Sequence, residues 1–169
     1  GLAYPDAKLP ALVFAAQTAR ALGATSVGLV APYLPYMRQD TMFQPGESVT
    51  SVHFAKLISS SVDWLVTMDP HLHRWHALSD IYDIPAKVSH AAIAMAAWIT
   101  LEVDKPLLIG PDSESKQWVS EMAALADADH VILSKTRRGD RDVEIALQDL
   151  RPWQDHTPVI VDDTISTAS

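Results

Sequence analysis

Apolar residues occur along this chain in two alternating patterns, at helical spacing and as short continuous runs. They recur at helical spacing from Lys8 to Leu22, and Gly23 supplies a helix stop. Further helices are predicted over 53–61, over 91–101 and around Trp118. The runs that predict buried strands are 26–31, 64–68, 106–109, 130–134 and 159–161. Helices that alternate with buried strands predict an α/β fold with a mainly parallel sheet.

Turns that contain an acid follow two of these strands. They lie at 69–71 and at 110–112, and a long loop with three prolines covers 32–50. Ligands bind at the carboxyl ends of parallel strands, and long loops in compact domains are often functional. A passage over 82–88, to which no element is assigned, separates two rounds of the same helix, strand and turn order. This repetition predicts two similar domains, residues 1–86 and 87–169.

Composition excludes several classes of protein. The chain has 169 residues, of which 48% are apolar, so it can bury a real core. A formal net charge of −8 argues against a nucleic-acid surface, and the absence of cysteine removes disulfides and thiolate zinc sites. No apolar stretch approaches the roughly 20 residues that span a bilayer. We therefore expect a cytoplasmic protein that binds neither nucleic acid nor membrane.

The apolar run at 159–161 ends in two adjacent acids, Asp162 and Asp163. The small, mostly hydroxyl-bearing residues that follow are Thr164, Ile165, Ser166, Thr167, Ala168 and Ser169. Carboxylates accept hydrogen bonds from sugar hydroxyls, whereas N–H and O–H donors suit a phosphate. The segment therefore predicts a receptor for a ribose 5-phosphate group. The alternative is a solvated loop with an incidental acid pair.

Residues 162–169 resemble the phosphoribosyl-diphosphate binding loop of type I phosphoribosyltransferase-like proteins. Other segments follow in the order seen in ribose-phosphate diphosphokinases, which make phosphoribosyl diphosphate from ATP and ribose 5-phosphate. These segments are 33–40, 67–71, 110–112 and 135–137. The resemblance implies an α/β protein of two phosphoribosyltransferase-like domains with mainly parallel sheets flanked by helices. It implies ATP-site loops in the first domain and a ribose 5-phosphate loop in the second.

The resemblance also implies roles for single residues. Arg38 and Gln39 match the pair that contacts ATP, and His71 matches a residue at the phosphates of Mg-ATP. Asp112 matches an acid near the second substrate and the metal. Mg²⁺ is thus the implied cofactor, with His71 and Asp112 on the metal side, and it prefers oxygen ligands. The acid pair is implied to bind the ribose hydroxyls, and the turn after it to wrap the 5-phosphate.

The one basic cluster covers residues 135–141. Lys135 and Arg137 resemble the catalytic Lys-x-Arg pair of the family, although Arg138 could take the place of Arg137. Such a pair stabilises charge that develops during phosphoryl transfer, most strongly once water is excluded. Residues 135–142 are predicted to form a polar loop, followed by a short edge strand over 143–147. A solvated charged hairpin is the alternative.

Three histidines within six residues, His71, His73 and His76, raise the alternative of a zinc site. Strand ligands need alternate positions, helix ligands need spacings of three or four, and no carboxylate elsewhere is obviously placed to complete a tetrahedron. The sequence therefore disfavours zinc. The resemblance assigns a role to His71 alone and leaves the other two as surface or helix-face residues.

The chain departs from the family pattern in two ways. Residues 113–116 read Ser-Glu-Ser-Lys where better-known members carry paired glycines, which let backbone approach phosphate. Family members also have strands before the segment matched here and a helix after the phosphate loop. We therefore expect a chain truncated at both ends, with both domains incomplete and with activity that such a piece can lack.

The implied reaction is transfer of the diphosphoryl group of Mg-ATP to the C1 hydroxyl of ribose 5-phosphate, which releases AMP. Family members assemble into oligomers, so a homo-oligomer is expected. Two alternatives remain. One is a phosphoribosyltransferase that consumes phosphoribosyl diphosphate, and the other is a non-catalytic regulatory relative.

Overall fold

The computed structural model describes residues 2–137, 143–146 and 149–162. The chain divides into two compact units, Gly1–His90 and Ala91–Ser169. Each unit has its own cluster of buried apolar side chains. The expected domain boundary lies after residue 86, and the division between these two units lies after residue 90.

The first unit contains two α-helices and a three-stranded sheet. Its elements are α1 (Pro5–Ala21), β1 (Gly28–Ala31), α2 (Thr50–Ser61), β2 (Trp64–Met68) and β3 (Ala86–Ser89). α1 begins earlier than expected because proline, which has no N–H to donate, fits the first turn of a helix. The helix ends just before Gly23, whose φ of +98° lies in the left-handed region that glycine adopts easily.

The strands of the first unit are all parallel and lie in the order β1-β2-β3. The predicted strand over 64–68 is confirmed as β2. No strand is predicted at β3, because its exposed positions are Lys87 and Ser89 and it offers no continuous apolar run. Because β3 pairs along its length with β2, a domain boundary after residue 86 would cut this strand. The first unit therefore continues to His90.

The described residues of the second unit form two α-helices and two sheets. Its elements are α3 (Ala92–Glu102), β4 (Pro106–Gly110), α4 (Lys116–Ala126), β5 (Asp129–Ile132), β6 (Ser134–Arg137), β7 (Val143–Ala146) and β8 (Thr157–Ile160). β5, β4 and β8 form a parallel sheet in that order, with β4 in the centre. α3 and α4 pack against each other, and α4 covers β4 and β5. Short 3-10 helices lie at Leu78–Asp80 in the first unit and at Ser113–Ser115 and Arg151–Trp153 here.

Two expectations for the second unit need correction. Residues 135–137 are not a loop, because β6 pairs antiparallel with β7, with Lys135 opposite Ile145. β8 is parallel as expected, but it is not a strand buried on both faces. It lies at the edge of its sheet, and Ile160 is 74% exposed, whereas Val161 is buried.

The expected fold class is confirmed. Both three-stranded sheets are parallel and have helices packed against them, and in the described ranges antiparallel pairing is confined to β6 and β7. Among the described helices, none combines the length and the apolar character needed to cross a membrane.

Candidate functional site

The carboxyl ends of β1, β2 and β3 lie at the same edge of the first sheet because the strands are parallel. The connections that leave these strands contact one another through backbone bonds. The Met68 N–H donates to the Pro32 carbonyl at 3.3 Å, and the Asp69 N–H donates to the Ser89 carbonyl at 3.0 Å. We call residues 32–40, 69–74 and 90 the first edge.

The turn after β2 is held in an unusual conformation. Asp69 has a φ of +37°, in the left-handed region, which costs a residue with a side chain on the order of 1–3 kcal/mol. Its Oδ1 lies 2.8 Å from Nδ1 of His90, the residue that follows β3. Sequence reasoning missed His90 because it depends on recognising β3. The strained turn sets the direction in which the chain leaves β2 toward His71.

A buried acid cross-links the loop after β1 to the turn after β2. The side chain of Asp40 is 1% exposed, and its Oδ1 accepts a hydrogen bond from Nη1 of Arg74 at 2.8 Å. The guanidinium carbon of Arg74 lies 5.8 Å from the centre of the Phe43 ring. Oδ2 of Asp40 is buried and finds no hydrogen-bond partner among the described residues.

The same acid lies beside two of the three clustered histidines. One carboxylate oxygen of Asp40 and one ring nitrogen each of His71 and His73 all lie within 4.8 Å of one another. The two rings are tilted by 50°, with centres 6.0 Å apart. The expectation that no carboxylate is placed beside these histidines is therefore wrong. Asp40 lies in segment 33–40, which carries the resemblance. Its distance from His71, however, depends on how the loops after β1 and β2 fold toward each other.

Arg38 and Gln39 lie on backbone that is fixed to both helices of the first unit. The Gln39 N–H donates to the Tyr36 carbonyl at 3.0 Å, and its carbonyl accepts the N–H of Ser51, in α2, at 3.3 Å. Tyr36 Oη donates to Oδ1 of Asp6, in α1, at 2.5 Å, and this bond to a carboxylate raises the pKa of Tyr36. Gln39 is half-buried, whereas Arg38 is exposed and can reach a ligand.

The carboxyl ends of β4, β5 and β8 form a second edge, which we define as residues 110–115, 133–137 and 161–162. Asp112 lies in the turn after β4, where its Oδ1 accepts the N–H of Ser115 at 3.2 Å. Ser115 Oγ donates to the Asp112 carbonyl at 2.6 Å. A Cβ on Gly110 would lie 2.3 Å from this Oγ and 2.7 Å from Cδ1 of Ile132. This turn is closed by the buried Ser115, which lies over Gly110.

The predicted sugar-phosphate residues lie partly at this edge. The Val161 N–H donates to the Ile109 carbonyl at 2.9 Å, and the exposed Asp162 follows directly. Because β8 and β4 are parallel neighbours, Asp162 and Asp112 follow strands that end at the same edge. Asp163 and the predicted phosphate turn, residues 164–169, lie outside the described residues.

The predicted catalytic pair is on the strand that leaves the second edge. The Leu133 N–H donates to the Gly110 carbonyl at 2.8 Å, and β6 begins at the next residue. Lys135 and Arg137 therefore lie on one strand, with Thr136 between them. Arg138, the alternative in this register, lies outside the described residues.

The two residues predicted to face magnesium belong to different units, His71 to the first and Asp112 to the second. Mg²⁺ prefers hard oxygen ligands and retains several waters. The carboxylate of Asp112 fits that preference. The imidazole of His71 can contact a phosphate oxygen or a metal-bound water, and its place on the metal side stays a prediction.

Comparison with known proteins identifies similar chains. A family model for the N-terminal domain of ribose phosphate pyrophosphokinase matches residues 3–61. The ribose-phosphate pyrophosphokinase of Methanobrevibacter smithii is 33% identical over an alignment of 177 positions, which covers 97% of this chain and 58% of the relative. That of Methanopyrus kandleri is 32% identical over 164 residues, 96% of this chain and 55% of the relative. The chain thus spans little more than half the length of these relatives.

A solved structure resembles the fold. It is that of a phosphoribosylpyrophosphate synthetase from Mycobacterium smegmatis, with a TM-score of 0.71 over 89% of this chain and 48% of that chain. The two sequences are 19% identical, so this likeness supports the α/β architecture alone.

Proposed function

We propose that this chain, which belongs to the ribose-phosphate pyrophosphokinase family, forms part of an enzyme that transfers the diphosphoryl group of Mg-ATP to the C1 hydroxyl of ribose 5-phosphate. The products are phosphoribosyl diphosphate and AMP. The observation that carries the proposal is the position of the candidate residues in the fold. Segments far apart in sequence lie at the carboxyl edges of two parallel sheets, where α/β proteins bind ligands.

The first edge suits the nucleotide, and we assign the unit Gly1–His90 to it. The exposed guanidinium of Arg38 can chelate a phosphate or stack on a base, and the amide of Gln39 can both donate and accept hydrogen bonds. His71 is half-buried beside Asp40 and can hold a phosphate oxygen. The fixed backbone of Gln39 positions these groups before the nucleotide arrives, which lowers the entropy that binding costs.

The second edge suits the phosphorylated sugar, and we assign the unit Ala91–Ser169 to it. The exposed Asp162 would accept hydrogen bonds from ribose hydroxyls, together with Asp163, and residues 164–169 would hold the 5-phosphate. Asp112 would face the metal side. Mg²⁺, when bound, offsets negative charge on the β- and γ-phosphates.

In the transfer step, a bond forms between the C1 oxygen of the sugar and the β-phosphorus of ATP. The bond from that phosphorus to the oxygen bridging to the α-phosphate breaks, and AMP leaves with the bridging oxygen. The hydroxyl proton passes to solvent. Lys135 and Arg137 would stabilise the charge on the transferred diphosphoryl group. We also expect a homo-oligomer in the cytoplasm, and light scattering would test the assembly.

The proposal is tested by binding and turnover in parallel. ATP with Mg²⁺ and ribose 5-phosphate are each titrated into the chain by calorimetry, and AMP release is then measured with all three present. Asp162→Asn is expected to weaken binding of ribose 5-phosphate about tenfold, whereas Glu121→Gln, on the exposed surface of α4, leaves it unchanged.

The other outcomes separate the alternatives. Diphosphate release from phosphoribosyl diphosphate in the presence of a base would indicate a phosphoribosyltransferase. Binding of both substrates without turnover, together with co-assembly with an active subunit, would indicate a non-catalytic relative. Failure of the folded chain to bind either substrate would contradict the proposal.

A further inference from the structure

We infer that Asp40, His71 and His73 form a three-ligand site for a divalent transition-metal ion of the zinc type. One ligand atom from each residue lies within 4.8 Å of the other two. Tetrahedral ligands at about 2.0–2.2 Å from Zn²⁺ lie roughly 3.4 Å apart, so a movement of about 1 Å or less by each side chain would close the set. Rotations of the two imidazoles can supply such a movement.

The buried carboxylate gives an independent reason for a cation at this place. Oδ1 of Asp40 is paired with Arg74, but Oδ2 is buried and has no hydrogen-bond partner among the described residues. A buried acceptor that lacks a partner costs about 1–3 kcal/mol, and a bound cation would remove that cost. Nη1 of Arg74 bonds Oδ1 and also lies 3.3 Å from Nδ1 of His73, so the ligand atoms left for an ion are Oδ2 of Asp40 and Nε2 of His73.

The chemistry of the donors selects the ion. Two imidazoles and one carboxylate are the protein ligands of several catalytic zinc sites, which keep a fourth position for water or substrate. Imidazole also suits cobalt and nickel, whereas Mg²⁺ requires octahedral oxygen ligands. These three side chains should therefore bind Zn²⁺ more tightly than they bind Mg²⁺.

The position of the site predicts an effect on nucleotide binding. His71 cannot hold a phosphate oxygen through the same nitrogen that ligates a metal ion. A zinc-type ion would thus either compete with Mg-ATP at the first edge or bind the nucleotide through its own open position. Ion binding itself does not depend on the proposed function, because it is measured without nucleotide.

The test uses the whole chain, stripped of metal with a chelator. Zn²⁺ is titrated by calorimetry, and Co²⁺ is added separately to record the visible absorption of a tetrahedral site. His73→Ala is the informative variant because this side chain is exposed and its loss should not unfold the protein. The control is His76→Ala, an exposed histidine in the same segment but outside the cluster.

We expect one Zn²⁺ per chain and a higher melting temperature in its presence. Loss of outer partners of metal ligands already weakens binding by about 10–100-fold, so His73→Ala should weaken it at least tenfold. His76→Ala should bind as the parent does. Equal binding by the two variants, no binding by the parent, or equal binding of Mg²⁺ and Zn²⁺ would each overturn the inference.

Discussion

The two carboxyl edges are built on the same arrangement of parallel strands but are held together differently. At the first edge, side-chain pairs join the loops, with Arg74 bound to Asp40 and His90 beside Asp69. At the second edge, a backbone turn closes tightly, with Ser115 bonded across it and Gly110 beneath. The difference teaches that the same strand arrangement can be closed by side-chain pairs at one edge and by a tight backbone turn at another, because the loops and not the strands carry the chemistry.

The largest loss of stability is expected when a side-chain carbon is added at Gly110, beneath the turn of the second edge. In Gly110→Ala, the new Cβ would meet Ser115 Oγ at 2.3 Å and Ile132 Cδ1 at 2.7 Å, and overpacking of this kind costs about 1–3 kcal/mol. Urea unfolding measures the loss in the free energy of unfolding. Combination with Ser115→Gly should recover part of it, since the nearest clashing atom is then absent. Equal losses with and without the serine would show that the turn does not close as described.

A smaller effect is expected from the exposed arginine of the first edge. Arg38→Ala should weaken binding of Mg-ATP about tenfold, or ~1.4 kcal/mol, and leave ribose 5-phosphate unaffected. Arg151→Ala is the matched control, since its guanidinium is exposed in the second unit and paired with Asp149. Calorimetric titration of both variants measures the difference. Equal losses for the two would remove the nucleotide from the first edge.

Breaking the ion pair of the first edge should cost less. Asp40→Asn keeps the shape of the side chain but loses the charge that binds Arg74, and because Arg74 is half-exposed we expect a loss of about 1 kcal/mol. Arg74→Gln should give a similar loss. The double variant should lose less than the sum of the two, since both changes remove the same interaction. Additive losses in urea unfolding would mean that the pair does not hold the edge.

The smallest effect concerns a half-exposed pair away from both edges, Arg20 and Asp63. Asp63 accepts hydrogen bonds from Arg20 at 2.9 Å and from the Val27 N–H at 2.7 Å, and these lower its pKa. Because the pKa is lower in the folded protein, the stabilisation is present above the unfolded pKa of about 4 and is lost as the pH falls below it.

Asp63→Asn should therefore lower the urea midpoint at pH 7, and the difference from the parent should shrink toward pH 3. Asp83→Asn, which changes an exposed acid of the same unit, serves as the control. A difference that stays constant between pH 7 and pH 3 would assign the effect to packing and not to charge.

Sequence reasoning located the elements whose residues are apolar on consecutive positions. β2 matches its prediction at both ends because Leu65 and Thr67 are buried on one face while Trp64 lies over Gly28 on the other. β3 was missed because its exposed positions are polar, and β6 was missed because its sequence, Ser-Lys-Thr-Arg, contains no apolar run. The pairing that defines them depends on neighbouring strands, which a single segment does not reveal.

The candidate site was predicted residue by residue but not as a geometry. The resemblance supplied Arg38, His71 and Asp112, because each lies in a short segment that can be matched to the family without knowledge of the fold. The approach of Asp40 to two histidines could not be predicted, because it depends on where a long loop returns to the sheet. The role of Ser115 could not be predicted either, since it depends on the space above Gly110.

The assignment of one ligand to each edge is tested most directly by nuclear magnetic resonance with the isotopically labelled chain. Mg-ATP and ribose 5-phosphate are titrated separately, and backbone amide signals are followed. We expect Mg-ATP to shift the signals of residues 38–40 and 71–74, and ribose 5-phosphate to shift those of 112–115 and 161–162. Shifts by both ligands at one edge, or by neither ligand at any of these residues, would contradict the assignment.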